Sequence, residues 1–307
     1  MSGAVRRRLD GDRWHFQHGP IDCIVLAEGE AGAVARCIER AWERFGGVLD
    51  ELVAELPLLR TDLASAAGAA VTPRGPVARR MVAACRAQAS DGRFITAMAA
   101  VAGSVAEELI VAFDAPGIVR ACINDGGDIA LHLAPGAAFD VGLFTDPAHG
   151  LARLAPDGRF RVDAASPVRG IATSGWRGRS LSLGIADAVT VLAATASAAD
   201  AAATLIANAV DLDDPRIVRR PARAVRDDSD LGDRLVTCAV PVLEASAIAR
   251  ALAAGAGAAR AAIADGCIIA AVLSLQGRFA VVEGDPAPAA GGPRRYLTFR
   301  ERSLAPC

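Results

Sequence analysis

The sequence contains no lysine, and all 33 of its basic residues are arginine. This absence excludes three site chemistries that depend on a lysine side chain: the P-loop phosphate cradle, the Schiff base of pyridoxal phosphate enzymes and the protein kinase centre. Alanine is abundant, and much alanine with arginine in place of lysine is typical of a GC-rich genome.

The sequence also lacks the spacings of the common zinc and disulfide frameworks. Its seven cysteines form no CxxC pair, and its four histidines form neither an HExxH motif nor a histidine triad. An odd number of scattered cysteines is typical of reduced, mostly buried thiols. We therefore expect neither a zinc site nor a set of disulfides.

Charge and hydrophobicity argue against two further classes of partner. The net charge is −2, the isoelectric point is about 6.1 and the longest basic run is Arg6-Arg7-Arg8, so we expect no nucleic-acid partner. The longest apolar segments, 185–210 and 244–265, are interrupted by charged side chains, and there is no signal-peptide pattern. We therefore predict a cytoplasmic protein without a membrane span, and a mean hydropathy of +0.31 is consistent with a homo-oligomer.

The order of hydrophobic patterns predicts an α+β fold. Strands and helices come in clusters, which favours an antiparallel or mixed sheet over a doubly wound parallel one. We predict one intertwined domain over 1–284 and a tail rich in Pro, Gly and Ala over 285–307. The predicted helices are 31–56, 77–89, 94–113, 198–210 and 244–265, and the predicted strands are 14–28 (one or two strands), 118–124, 128–133, 139–144, 158–164, 181–194, 234–240, 267–274 and 278–283.

The segment Asn124-Asp125-Gly126-Gly127-Asp128 is the densest group of glycines and carboxylates. Paired glycines let a ligand approach the backbone and expose amide N–H groups to an anion, while Asn124 and the aspartates offer polar anchors. The same residues are equally typical of an ordinary hairpin turn. Both interpretations remain open on the residues alone.

A second polar segment, Gly170 to Ser180, combines hydroxyls, glycines and two arginines. Arg177 and Arg179 are suited to holding a phosphate, and Trp176 to stacking on a flat ring. The alternative is a surface loop whose arginines are solvated.

Asp200 and Thr204 lie four residues apart near the start of a predicted helix. This spacing places a carboxylate and a hydroxyl on one helical face, where both oxygens can bind a hard cation such as Mg²⁺. The alternative is a carboxylate that only stabilises the helix dipole, with a packed threonine.

Two lesser candidates come from isolated polar residues. Glu107 and Glu108 lie on an otherwise apolar predicted helix, where they either face a site or cap an edge of helix packing. His132 lies on an alternating strand, where a hydrogen-bonded structural histidine is commoner than a catalytic base.

Seven collinear segments of the sequence together resemble the ApbE superfamily, the FAD:protein FMN transferases, and in particular an ApbE-like branch once labelled as possible thiamine biosynthesis proteins. They are GPID at 19–22, GPVARRM at 75–81, FITAMAAVAG at 94–103, NDGGDIALHL at 124–133, the stretch from GIATSGWRGRS to TVLA at 170–193, ADAAATLIANAV at 199–210 and SDLGDRLVT at 229–237.

This resemblance implies an ApbE-like (T-fold-like) fold and a site for FAD. It implies Mg²⁺ on Asp200 and Thr204, next to the pyrophosphate, where the cation would stabilise charge as the FMN unit leaves AMP. We place catalysis at Asp128, Arg177 and Arg179. The implied cofactor-binding residues are Asn124, Gly126, Gly127, Thr173, Ser174, Gly175 and Trp176.

The sequence departs from the family pattern at two positions. The segment RGRSLSLGIAD lacks the His-x-x-Asp-Pro motif, and Ala102 stands where the family has a lysine. Three functions therefore stay open. The first is a Mg²⁺-dependent transferase or pyrophosphate hydrolase, the second is an enzyme that uses Trp176–Arg179 and His132 on a small anionic metabolite, and the third is a non-catalytic ligand-binding or assembly protein.

Overall fold

The computed structural model describes residues 3–89, 92–143, 158–178, 180–284 and 297–299. Antiparallel strand ladders and several helices make up this part of the chain, so the predicted α+β class is confirmed. The tail predicted over 285–307 lies outside the described residues except for Leu297–Phe299, which form a short strand.

The chain divides into two compact units, each assembled from separate segments. Unit 1 comprises Met1–Ala138, Asp163–Ala172 and Ala193–Ala201. Unit 2 comprises Phe139–Val162, Thr173–Leu192 and Ala202–Cys307.

An antiparallel ladder forms the framework of unit 1. Its strands follow one another in the order β1 to β5 and then the first residues of β8. In β3 the residues alternate between buried and half-buried, which is the period of a strand with one face on a core. The bounds are β1 Val5–Arg8, β2 Arg13–His18, β3 Ile21–Gly29, β4 Ile118–Asp125, β5 Asp128–Leu133 and β8 Gly170–Ser174.

Helices of unit 1 pack against this ladder. The buried residues of the longest helix recur at helical spacing, and Phe45 packs against Phe16 of β2 at a ring distance of 5.5 Å. The bounds are α1 Ala31–Ala54, α2 Leu56–Leu59, α3 Ala66–Ala69, α4 Pro76–Ala87 and α5 Val101–Ile110. A further helix, α6 (Ala196–Ala209), contains the boundary between the units, after Ala201.

Unit 2 is built around β9, β12 and β13, which pair in antiparallel fashion in that order. All residues of β9 and β12 are buried, because both strands lie in the interior of the unit. Two smaller ladders complete the unit, β14–β7–β6 and β10–β11. The bounds are β6 Ala138–Leu143, β7 Gly158–Asp163, β9 Ala188–Ala193, β10 Val218–Pro221, β11 Leu235–Ala239, β12 Ala270–Leu275, β13 Arg278–Glu283 and β14 Leu297–Phe299.

Unit 2 also contains the short helix α7 (Ala222–Val225) and the long helix α8 (Ala245–Ala264), which packs on β12 and β13. By length and composition alone, α8 is apolar enough to cross a membrane. Seven of its residues face the interior, including Ile248 and Leu252, while Arg250 and Arg260 are exposed. This is the pattern of a core helix in a globular protein.

Most predicted bounds differ by a few residues from those observed, and β1, β10 and the short helices α2, α3 and α7 were not predicted. Three differences are larger. The predicted helix 94–113 is shorter because Ala100 leaves helical geometry (φ −129°, ψ 20°), and the flanking Ala97–Ala100 and Val111–Phe113 form 3₁₀ turns. Gly170–Ser174, predicted as part of a loop, is the strand β8, and the predicted strand 181–194 begins only at Ala188.

Candidate functional site

The glycine pair of the first candidate segment joins β4 to β5 in a two-residue hairpin. Gly126 has φ +66° and Gly127 has φ +116°, backbone conformations that favour glycine. The side-chain oxygen Oδ1 of Asn124 accepts a hydrogen bond of 2.8 Å from the amide of Gly127. The segment is thus a hairpin turn, and the amide of Gly127 already donates within it.

Two aspartates lie directly beside this turn. Asp125 and Asp128 are cross-strand partners in the β4–β5 register, so their side chains lie on the same face of the ladder. Asp125 is only 4% exposed, and its Oδ1 accepts a hydrogen bond of 3.3 Å from the amide of Asp22 on β3. Asp128 is half-buried.

Asp200 belongs to the same acidic region of unit 1. Its Oδ2 accepts a hydrogen bond of 2.9 Å from the amide of Gly103, and the amide of Ala102 also donates to the carboxylate. The residue keeps some solvent exposure although protein atoms surround its carboxylate. Burial and, after it, the charges of Asp128 and Asp125 raise the pKa of Asp200 well above its usual value.

The first turn of α5 explains why a carboxylate is held at this point. The N–H groups of the first helical turn have no partner within the helix, and the helix dipole favours an anion there. Gly103 permits the contact, since a Cβ atom would lie 2.8 Å from the Cβ of Asp200 and would clash with the carbonyl oxygen of Ala196. Asp200 therefore caps α5 from another helix.

Thr204, the other predicted cation ligand, lies one turn after Asp200 on α6 and is half-buried. The unit boundary separates it from Asp200, so it is assigned to unit 2. Within the described part of the chain, no group of three or more His, Cys, Asp or Glu side chains is arranged to hold a metal ion. A cation at Asp200 would therefore take most of its ligands from water or from a bound small molecule.

In unit 2, the second candidate segment is organised by Asp187. Its Oδ1 accepts hydrogen bonds from the indole Nε1 of Trp176 (3.2 Å) and from Nε of Arg177 (3.1 Å), and its Oδ2 accepts from the amide of Gln276. The guanidinium of Arg177 lies over the Trp176 ring, 5.1 Å from its centre. These contacts fix both side chains, so the alternative of a loop with merely solvated arginines does not describe Arg177.

The other residues of this segment occupy structural positions. Thr173 Oγ1 lies 2.8 Å from Thr190 Oγ1, and Ser174 ends β8. A Cβ atom at Gly175 would clash with the carbonyl oxygen of Asp187. Arg179 lies outside the described residues.

Sequence reasoning assigned no role to Asp187, and it left Glu107 between two alternatives. Glu107 Oε2 accepts hydrogen bonds from the amide (3.0 Å) and the hydroxyl (2.6 Å) of Ser197 at the start of α6, so Glu107 lies at an edge where two helices pack together. The sequence could not predict these two contacts from a local pattern. Ser197 is 90 residues away from Glu107, and Gln276 is 89 residues away from Asp187.

Residues 6–281 match the model of the protein family described as AbpE bacteria, which is most of the chain. The chain belongs to this family. The match includes both candidate segments and α6, so every predicted site residue lies within the family region.

Curated relatives of this member of the AbpE bacteria family are UPF0280 proteins of archaea. The protein of Methanosphaerula palustris is 35% identical over 204 residues, which cover 64% of this chain and 77% of the relative. Those of Methanopyrus kandleri (35% over 147 residues) and Methanothermobacter thermautotrophicus (37% over 142 residues) align over 48% and 46% of this chain. In these two alignments the chain spans about half of the relative's length, 56% and 51%.

These matches correct the resemblance drawn from the seven segments. Identification with the ApbE superfamily of FMN transferases is wrong, since the matching family is AbpE bacteria and its archaeal relatives are UPF0280 proteins. The short motifs misled because glycine hairpins and alanine-rich helix starts recur in many folds. The roles of the site residues therefore depend on their geometry in this chain.

Proposed function

We propose that this protein binds a phosphorylated small molecule together with Mg²⁺, and that Asp200 is the centre of the cation site. The observation that carries the proposal is the environment of Asp200. Its carboxylate is held in place by backbone amides, and two further aspartates lie near enough to raise its pKa.

Charge balance supports a cation at this position. Among the described residues, the contacts of Asp200 are backbone amides, and no arginine or histidine pairs with it. The N-terminus of α5 supplies the equivalent of about half a positive charge, which is too little to balance a full carboxylate charge at Asp200. A divalent cation would supply the missing charge, with the carboxylate of Asp200 as its protein ligand.

The small number of protein ligands supports Mg²⁺ bound with a phosphate. Magnesium usually keeps several waters and binds through one or two carboxylates plus the phosphates of a substrate. Asp200 supplies the carboxylate. FAD, through its pyrophosphate, and nucleoside diphosphates are members of this ligand class.

A catalytic version of this function is transfer or hydrolysis at a pyrophosphate. Bound Mg²⁺ would stabilise negative charge that develops on the phosphate oxygens. In this version Asp128, half-buried on the face that carries Asp125, would accept a proton from a water or a hydroxyl group. Release of AMP from FAD, or of phosphate from ADP, distinguishes this version from binding alone.

The proposal is tested by thermal unfolding and calorimetric titration of metal-free protein with Mg²⁺, and with ADP, FAD or inorganic phosphate in the presence of Mg²⁺. Ligand at 100 times its dissociation constant is expected to stabilise the fold by about 2.7 kcal/mol. Asp200→Asn, which removes the charge and keeps the shape, is expected to abolish the effect of Mg²⁺.

Asp140→Asn is the matched control, because Asp140 is 71% exposed and pairs with Arg161 at the surface. It is expected to bind Mg²⁺ like the wild type. If the wild type binds no Mg²⁺ with or without these ligands, or if Asp200→Asn binds it unchanged, the proposal is wrong.

A second candidate is binding of a small anionic metabolite at Trp176 and Arg177 in unit 2. The observation in its favour is that Asp187 holds both side chains in place before any ligand arrives, which lowers the entropy lost on binding. A ligand screen that finds an anion bound without Mg²⁺, with binding lost in Arg177→Ala, supports this candidate. Retained binding in that variant counts against it.

A further inference from the structure

We propose that Glu107 is a positioning residue for the cation site at Asp200. This inference depends on the proposed function, since it concerns how the chain orients the carboxylate that would bind the cation. Glu107 does not contact Asp200, and its effect passes through the helix that carries Asp200.

Two hydrogen-bonded connections join α5 and α6 within unit 1. In the first, the amide of Gly103 on α5 donates to Asp200 on α6. In the second, the amide and hydroxyl of Ser197 on α6 donate to Glu107 on α5. The two connections are about one turn apart on each helix, so each helix caps the N-terminal turn of the other.

The first turn of α6 has a cap of its own in addition to Glu107. The Oγ1 of Thr195 accepts a hydrogen bond of 3.2 Å from the amide of Ala198, and the side chain of Gln88 donates to the carbonyl oxygen of Ala198 at 3.1 Å. These bonds hold the turn in helical geometry. The Glu107–Ser197 bonds tie this turn to α5, the helix that also holds the carboxylate of Asp200.

Glu107 is itself fixed by a network of ion pairs. Its Oε1 lies 2.8 Å from Nη1 of Arg80, and Nε of Arg80 lies 3.1 Å from Glu108. Glu108 also pairs with Arg44 at 2.8 Å, and Arg44 pairs with Glu51. Because Glu107 and Glu108 are only 16% and 12% exposed, solvent screens these pairs weakly.

The packing of α6 against α5 is expected to affect the affinity for the cation, because it orients the carboxylate of Asp200. The carboxylate of Asp200 is hydrogen-bonded to α5 and carried by α6, so its orientation depends on how α6 is placed against α5. If Glu107 is truncated, the first turn of α6 loses its link to α5 and the carboxylate gains freedom. Removal of residues that orient metal ligands typically weakens metal affinity 10- to 100-fold.

The experiment measures Mg²⁺ affinity by calorimetry on the full chain, in the presence of ADP, for the wild type and three variants. Glu107→Ala removes both bonds to Ser197 and is expected to weaken Mg²⁺ affinity about tenfold or more. Glu107→Gln keeps an oxygen acceptor for Ser197 and is expected to restore affinity to within about threefold of the wild type, although it loses the charge that pairs with Arg80.

Arg86→Ala is the matched control for general destabilisation. Arg86 lies on α4, like Arg80, and donates to the carbonyl oxygens of Gly68 and Val71, away from Glu107. Its truncation is expected to lower the unfolding temperature and to leave Mg²⁺ affinity unchanged. This contrast separates positioning from a merely structural role.

A second readout is amide hydrogen exchange in the metal-free protein. Loss of the Glu107–Ser197 connection is expected to accelerate exchange at Gly103 in Glu107→Ala and not in Arg86→Ala. If the wild type binds Mg²⁺ and Glu107→Ala binds it equally well, only this inference is overturned. Equal weakening in Arg86→Ala overturns it too, and no Mg²⁺ binding by the wild type overturns both proposals.

Discussion

At the scale of single residues, position 103 requires a glycine because two helices meet there. A Cβ atom would clash with the carbonyl oxygen of Ala196 and crowd Asp200. Gly103→Ala is therefore expected to destabilise the fold by about 1–3 kcal/mol, although alanine is the better helix former. Urea unfolding at neutral pH measures the change.

The matched control is Gly257→Ala on α8, where a Cβ atom would meet no other atom within 4 Å. This change is expected to stabilise the protein by about 0.5 kcal/mol through helix propensity. An unchanged or higher free energy of unfolding in Gly103→Ala would show that α5 and α6 are not packed as described.

The contribution of Glu108 to the stability of the fold is expected to depend on pH. Burial alone would raise the pKa of Glu108, but the hydrogen bonds and charges of Arg44 and Arg80 outweigh it, and the pKa lies below its usual value. A lowered folded-state pKa gives stability that is present above the unfolded pKa, about 4.3, and is lost as the pH falls through the folded pKa.

We therefore expect Glu108→Gln to lower the free energy of unfolding by about 1–2 kcal/mol at pH 7 and by clearly less at pH 3.5. Glu39→Gln is the control, because Glu39 is 53% exposed and pairs with Arg6 at the surface, where such pairs contribute less than about 1 kcal/mol. The same loss at both pH values in Glu108→Gln would contradict the ion-pair network.

At the scale of elements, the turn between β4 and β5 depends on its second glycine. Gly127, at φ +116°, has a conformation that residues with a side chain rarely adopt, whereas φ +66° at Gly126 is tolerated by asparagine. Gly127→Ala is expected to cost about 1–3 kcal/mol and Gly126→Asn less than about 1 kcal/mol, measured by thermal unfolding. A similar cost for both substitutions would be inconsistent with this turn.

Helices and turns were predicted well where the residues that determine them lie close together in the sequence. The apolar spacing of Cys37, Ala41, Phe45 and Val48 predicts α1, and the Gly126-Gly127 pair predicts the hairpin. The strand β8 was missed because its GIATS sequence is short and polar at one end, and pairing with strands such as β5, far from it in the sequence, makes it a strand.

At the scale of the whole molecule, the six cysteines in the described part of the chain are free thiols. Cys23, Cys37 and Cys85 are buried, while Cys122, Cys238 and Cys267 are partly exposed. Burial raises the pKa of Cys23 well above its usual value and that of Cys122 to about 11, so little thiolate forms at neutral pH.

We therefore expect iodoacetamide at pH 8 to modify Cys238 and, more slowly, Cys267 in the native protein, because burial and the charge of Asp265 raise the pKa of Cys267. Cys23, Cys37 and Cys85 are expected to react only after unfolding. Mass spectrometry of tryptic peptides identifies the modified positions. Rapid modification of the buried three in the native protein would show that the interior opens, and a cysteine that reacts only after reduction would reveal a disulfide.

The sequence by itself determined which chemistries are excluded, the α+β class and most of the helices and strands, because each depends on composition or on residues close together in the chain. The tertiary structure decided the surroundings of Asp200. Its partner Gly103 lies 97 residues away in the sequence, and the Glu107–Ser197 connection spans 90. Such contacts leave no periodic signal in one sequence, since they form only when α5 and α6 pack together.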